Sequence, residues 1–182
     1  MVKKRSIFQF GKIVPGLEID GKSVDYAVVN ERDARAGAGI MVAIAAIAFA
    51  QAFLLKEYIW IDVLVLLFLV EFAIRIINPS IAPFYAMGSF IVRKMRPEYS
   101  GAAQKRFAWG LGLLMALTVT TLIHIVGYRG IWNLTFCIIC LFLMWVESSF
   151  GICIGCKLYH FSLKMGFIKK PEVLPTCPGG AC

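Results

Sequence analysis

Charged residues are scarce in this chain. They make up 16% of its 182 residues, where soluble domains carry roughly a quarter. Histidine is scarcer still, with only His124 and His160. No Walker loop, no Gly-x-Gly-x-x-Gly, no His-Glu-x-x-His and no Cys-x-x-Cys-His occurs. These absences remove P-loop phosphate chemistry, dinucleotide binding, zinc proteolysis and covalent c-type haem from the reading. The two histidines fall near opposite ends of the predicted spans, so a bis-histidine haem is not expected. Met1-Val-Lys-Lys-Arg is basic, but no apolar stretch follows it directly, so no cleavable signal peptide is expected.

Apolar residues are abundant: 59% of the chain is hydrophobic and the mean hydropathy is +0.76. Four stretches are long enough to cross about 30 Å of hydrocarbon at about 1.5 Å per residue. They run over about 36–55, 58–77, 107–127 and 130–150. The segment 79–92 is apolar but short, and reads as an interfacial or re-entrant piece. The expectation is an all-α membrane protein with four transmembrane helices, that short segment and a small cytoplasmic N-terminal arm. The arm covers 1–35, the transmembrane domain 36–161, and a flexible cysteine-containing cytoplasmic tail 162–182.

Basic residues give the direction. The arm carries Lys3, Lys4, Arg5, Lys12, Lys22, Arg32 and Arg35. The connection between spans two and three carries Arg93, Lys94, Arg96, Lys105 and Arg106, and the tail carries Lys157, Lys164, Lys169 and Lys170. The other two turns hold only Lys56 and Arg129. The positive-inside rule therefore puts both termini in the cytoplasm, in a bacterial inner membrane. The net charge of +8 lies beside apolar spans, which suits anionic lipid headgroups rather than nucleic acid. Gly and Pro punctuation around residues 11–22 predicts a small hairpin. Asn30 with Asp33 three residues on predicts a helix start.

Six cysteines remain. Cys137 and Cys140 lie in the fourth span, where thiols act as small apolar groups or line a path through the bundle. Cys153 and Cys156 fall at or beyond its cytoplasmic edge, roughly 35–39 Å from Gly130 if the helix continues at its usual rise. They are the candidate dithiol, one attacking and one resolving. Lys157 favours a thiolate there, whereas a helix C-terminus opposes it. Cys177 and Cys182, on the Pro/Gly-rich tail, are candidates for a thiol shuttle. A single zinc held by Cys137, Cys140, Cys153 and Cys156 would need a sharp break near Gly151, because about 24 Å separates the pairs along a continuous helix. No metal or cofactor is assigned.

Ionisable groups inside a membrane are functional candidates by default. Glu71 and Arg75, four apart, are expected to neutralise each other. His124 is expected as an interior hydrogen-bonded residue. Glu147, beside Ser148 and Ser149 and on one face with Cys140, is the candidate proton donor or acceptor for the dithiol. Its expected partner is Arg75 or the region of Arg106.

Three blocks carry a resemblance. They are Val29-Asn-Glu-Arg-Asp-Ala-Arg-Ala-Gly-Ala-Gly-Ile, Lys105-Arg-Phe-Ala-Trp-Gly-Leu-Gly and Phe150-Gly-Ile-Cys-Ile-Gly-Cys-Lys-Leu-Tyr. Together they resemble the bacterial integral membrane family of unknown function 4395, over about residues 10–160. The resemblance implies company with thioredoxin-like and rhodanese-like proteins, and hence thiol or sulfur chemistry. The ending Pro175-Thr-Cys-Pro-Gly-Gly-Ala-Cys182 departs from the family's shorter form and takes no role from it.

The resulting reading is a membrane thiol protein. It would exchange electrons or sulfur through Cys153 and Cys156 with a soluble thiol or sulfurtransferase protein. One alternative is a transporter of a small sulfur species or soft metal along Cys137, Cys140 and Glu147, which four spans support only as a homo-oligomer. Another is a non-catalytic subunit of a membrane complex.

Overall fold

The computed structural model describes residues 10–19 and 21–167. Cys177 and Cys182, with the rest of the tail from residue 168, lie outside the described residues. Two short strands, β1 (Glu18–Ile19) and β2 (Lys22–Ser23), pair antiparallel and form the expected hairpin. A third strand, β3 (Val28–Asn30), leads directly into helix α1 (Glu31–Leu55). Asn30 caps that helix: its Oδ1 accepts the Arg32 N–H at 3.3 Å, and its Nδ2 donates to Asp33 Oδ1 at 2.7 Å. Glu31 and Asp33 then sit in the first turn, at the positive end of the helix dipole.

Helix α2 (Ile59–Ile77) ends at Asn78-Pro79, where proline cannot continue the ladder. A 3-10 turn (Pro79–Ile81) and the ten-residue helix α3 (Pro83–Val92) follow. Strand β4 (Tyr99–Gly101) leads into α4 (Ala102–Thr120), which runs on as a π turn (Thr121–Ile125). Helix α5 (Ile131–Phe150) and helix α6 (Ile154–Lys164) complete the described chain.

One strand pairing organises the helices. β3 pairs antiparallel with β4, Val29 opposite Ser100, so α1 and α4 start side by side. Helix α5 brings its last turns back to that end, where Glu147 meets Lys105. Helix α2 also finishes there, its Arg75 stacked against Tyr85 and Trp109. At the opposite end Arg129, after the π turn, bridges Asp62 of α2 at 2.6 Å. The four long helices therefore alternate in direction.

Glycines set the closest approach. A Cβ on Gly88 of α3 would lie 2.4 Å from the backbone nitrogen of Gly37 on α1, so that crossing admits no side chain. The buried core around it includes Met41, Phe72, Tyr85, Trp109 and Met144. Many large apolar side chains elsewhere are exposed, among them Ile47, Phe53, Trp132, Phe142 and Phe150. In a soluble protein such a surface would be an association site, while in a membrane it faces lipid.

Among the described residues, three helical stretches are long and apolar enough to cross a membrane: Glu31–Leu55, Ala102–Ile125 and Ile131–Phe150. The all-α membrane class is thus as expected. Helix α2 differs from these three because it carries Asp62, Glu71 and Arg75 within its 19 residues. Two expected boundaries move. The first helix starts five residues before 36, because Asn30 caps it. The third starts at Ala102, five residues before 107, because strand β4 ends there.

Candidate functional site

Cys153 and Cys156 do not sit on a continuation of α5. That helix stops at Phe150, and Gly151 adopts the left-handed conformation (φ 70°) that only glycine takes without strain. A Cβ there would also lie 2.9 Å from the Arg35 guanidinium, which packs against the turn. Two residues later a new helix begins. Cys153 is its N-cap, and its Sγ accepts the backbone N–H of Cys156 at 3.4 Å. The expected helix C-terminus is therefore a helix N-terminus, and the sign of its effect is reversed. Free N–H groups and the positive end of the dipole now face Cys153, where a helix C-terminus would present carbonyls.

Both thiols are free and buried, Cys153 at 7% exposure and Cys156 at 1%. They share one helical turn. The thiol of Cys156 is pushed up by its hydrogen bond with Cys153 and by burial, with the charge of Lys105 opposing. Gly155, between them, lets α6 press onto α4: a Cβ there would lie 2.5 Å from Ala108 Cβ.

Lys105 is the residue that sequence reasoning missed. It was assigned to a basic loop, yet it is fully buried in the first turns of α4. Its Nζ lies 2.6 Å from Glu31 Oε1 and 2.7 Å from Glu147 Oε1. The Ser100 hydroxyl donates to the other Glu31 oxygen at 2.8 Å. The ammonium also interacts electrostatically with both Cys153 and Cys156. The signal was present in the spacing: Lys105, Trp109, Gly112, Ala116 and Val119 recur every three or four residues and form one helix face.

The partner of Glu147 is Lys105, in the expected region of Arg106, and not Arg75. Arg75 is committed to Glu71, at 2.7 Å and fully buried. Glu71 also accepts the backbone N–H groups of Phe84 and Tyr85 at 3.0 Å each. That carboxylate fixes the start of α3 against α2, a structural task. The expectation of an interior His124 is corrected, because it is exposed on the π turn.

One cavity of about 390 Å³ connects several candidates. Cys137, Cys140, Glu147 and Cys153 all line it, whereas Cys156 does not. Its remaining walls are almost entirely apolar. Cys140 Sγ approaches Met115 Sδ at 3.8 Å. A second cavity, toward Arg129, shares Phe49, Ile61 and Cys137 with the first. The helix break at Gly151 is real, yet among the described residues no three His, Cys, Asp or Glu side chains come together as a metal site.

Helices fit to cross a membrane, with a buried dithiol at a helix N-terminus beside an ion cluster, define a helical membrane protein bearing a cysteine pair. The chain belongs to the family described as Domain of unknown function (DUF4395), which matches residues 29–164. No curated protein and no solved structure matches the chain.

Proposed function

We propose that this protein is a membrane thiol-exchange protein in which Cys153 and Cys156 cycle between dithiol and disulfide. The observation that carries the reading is the placement of Cys153 as N-cap of α6, accepting the Cys156 N–H, with Lys105 in electrostatic reach. A helix N-terminus and a nearby cation are the two features that activate a cysteine. Cys153 is the attacking thiol, because it lines the cavity and accepts the Cys156 N–H. Cys156, buried and held protonated, is the resolving thiol. Glu147, 2.7 Å from the Lys105 ammonium, takes the proton from the dithiol.

The soluble partner is a thioredoxin-like or sulfurtransferase protein that exchanges electrons or sulfur with this pair. Helix α2 is the fourth span, its charges neutralised within the protein by Arg129 for Asp62 and by Arg75 for Glu71. Both termini are then cytoplasmic in a bacterial inner membrane. Arg32, Arg35, Arg93, Lys94, Arg96, Arg106, Lys157 and Lys164 support that direction, against Lys56 and Arg129 at the other end. Transport of a small sulfur species or soft metal along Cys137, Cys140 and Glu147 is the weaker reading, because the cavity they line is otherwise apolar and, among the described residues, no three His, Cys, Asp or Glu side chains come together to hold an ion.

The test is a trapped mixed disulfide. Cys156→Ser removes the resolving thiol, so a partner attacked by Cys153 stays attached and is identified by mass spectrometry after non-reducing electrophoresis. Cys153→Ser is expected to trap nothing. Equal trapping by neither variant would remove thiol exchange from the protein.

A further inference from the structure

We infer that the cavity beside Cys153 is a binding site for a lipid-soluble quinone, the two-electron acceptor that reoxidises the dithiol. This rests on the thiol-exchange reading above and names its second substrate.

The cavity is the right size and character for a small apolar molecule. Its volume is about 390 Å³, and ligand sites for small molecules span about 300–1,000 Å³. Phe49, Phe68, Phe72 and Trp109 contribute to its walls. Aromatic walls suit a planar ring, through offset or edge-to-face packing. Its mouth is marked by Leu114 and Leu158, which line the cavity and are 60% and 46% exposed. Leu114 lies within a helix long and apolar enough to cross a membrane, so a ligand dissolved in the bilayer reaches this opening without entering water.

The lining includes one charged group and one of the paired thiols. They are Glu147, bound to Lys105, and Cys153. Conversion of two thiols to a disulfide releases two electrons and two protons, which is what a quinone takes up in becoming a quinol. A simple acyl chain would use the apolar walls and leave the dithiol idle. Cys153 itself lines the apolar cavity, so its thiol meets a molecule bound there.

The step balances. The Cys153 thiolate adds to the quinone ring and an S–C bond forms. Cys156 Sγ then attacks Cys153 Sγ: the S–S bond forms, the S–C bond breaks, and its electron pair leaves with the ring. The ring oxygens take the two protons that the thiols give up, one of them by way of Glu147. The products are one disulfide and one quinol, and a soluble dithiol returns the protein to its reduced state.

The experiment uses the full chain in detergent under anaerobic conditions, with a dimethoxybenzoquinone carrying a ten-carbon alkyl tail as probe. The reduced protein is expected to lose two titratable thiols for each quinol formed. Cys153→Ser is expected to bind the quinone in equilibrium dialysis and to form no quinol. Leu141→Trp and Ala45→Phe, each placing bulk in the cavity wall, are expected to weaken binding at least tenfold in variants that elute as the parent does. Decanoic acid, as a tail without a ring, is expected to compete poorly. Exchange with an oxidised soluble dithiol protein is measured separately without quinone. If exchange proceeds but Cys153→Ser shows no saturable quinone binding, the cavity inference is overturned and the thiol-exchange reading stands. Quinone bound no better than decanoic acid, with no quinol formed, overturns it equally. Quinol formation without soluble exchange supports the cavity and removes the soluble partner.

Discussion

Lys105 Nζ stands 2.7 Å from Glu147 Oε1 and ties the start of α4 to the last turns of α5. The same ammonium reaches Glu31 in the first turn of α1, so one buried cation pins three helices next to the dithiol. Loss of the cation leaves the buried Glu31 carboxylate and the half-buried Glu147 carboxylate without compensation. Lys105→Met is expected to lower stability by about 3–5 kcal/mol, as for other broken buried pairs. The check is detergent-based unfolding followed by circular dichroism. Lys105→Met combined with Glu31→Gln and Glu147→Gln is expected to recover most of the loss, because no unpaired charge remains. An unfolding curve of Lys105→Met that overlays the parent would show that the cluster does not hold the helices.

A second prediction concerns the α1–α3 crossing. The added methyl of Gly88→Ala would meet the Gly37 backbone, which cannot move aside as a side chain can. Overpacking of this kind typically costs about 1–3 kcal/mol. Gly110→Ala serves as the control, since nothing lies within 4 Å of a Cβ there. Similar midpoints for the two variants would contradict the close approach.

Topology distinguishes three spans from four. With α2 crossing, a reporter in the Lys56 turn and one at the C-terminus lie on opposite sides of the membrane. With α2 on one side only, the two reporters coincide. Opposite sides are expected, read by cysteine-accessibility labelling or paired enzyme fusions.

Titration separates the two thiols and adds a pH effect. Because hydrogen bonding and burial hold the Cys156 thiol up, an alkylating agent at mildly alkaline pH is expected to modify Cys153 first. Mass spectrometry of early time points reads the order. His160, whose Nε2 lies 2.9 Å from Gln104 Oε1, is lowered by burial and by the nearby Lys164. Its folded value lies below the ordinary 6.5, so its contribution to stability is fully present above 6.5 and is lost as pH falls through the folded value. His160→Gln is expected to flatten the fall in stability between neutral pH and pH 5.

Much of the architecture was determined locally. Long apolar runs leave the backbone of a membrane segment no choice but helix. Asn30 and Asp33 cap α1 through neighbours in sequence, and Asn78-Pro79 ends α2 for the same reason. The pairing of Glu71 with Arg75 follows from a four-residue spacing on one helix. Cys153 and Cys156 were recognisable as a pair because three residues separate them.

What depends on distant partners was decided only by the tertiary structure. Lys105 reads as one more cytoplasmic cation until the pairing of Val29 with Ser100 carries α4 to Glu31. Glu147 has no partner within reach on its own helix. The break at Gly151 turns a helix end into a helix start and so reverses the field at Cys153. A glycine in an apolar run permits that turn without requiring it, and the packing of Arg35 and Ala108 against Gly151 and Gly155 selects it. The cavity joining Cys137, Cys140, Glu147 and Cys153 belongs to no single segment, because its walls come from five helices whose spacing no local pattern encodes.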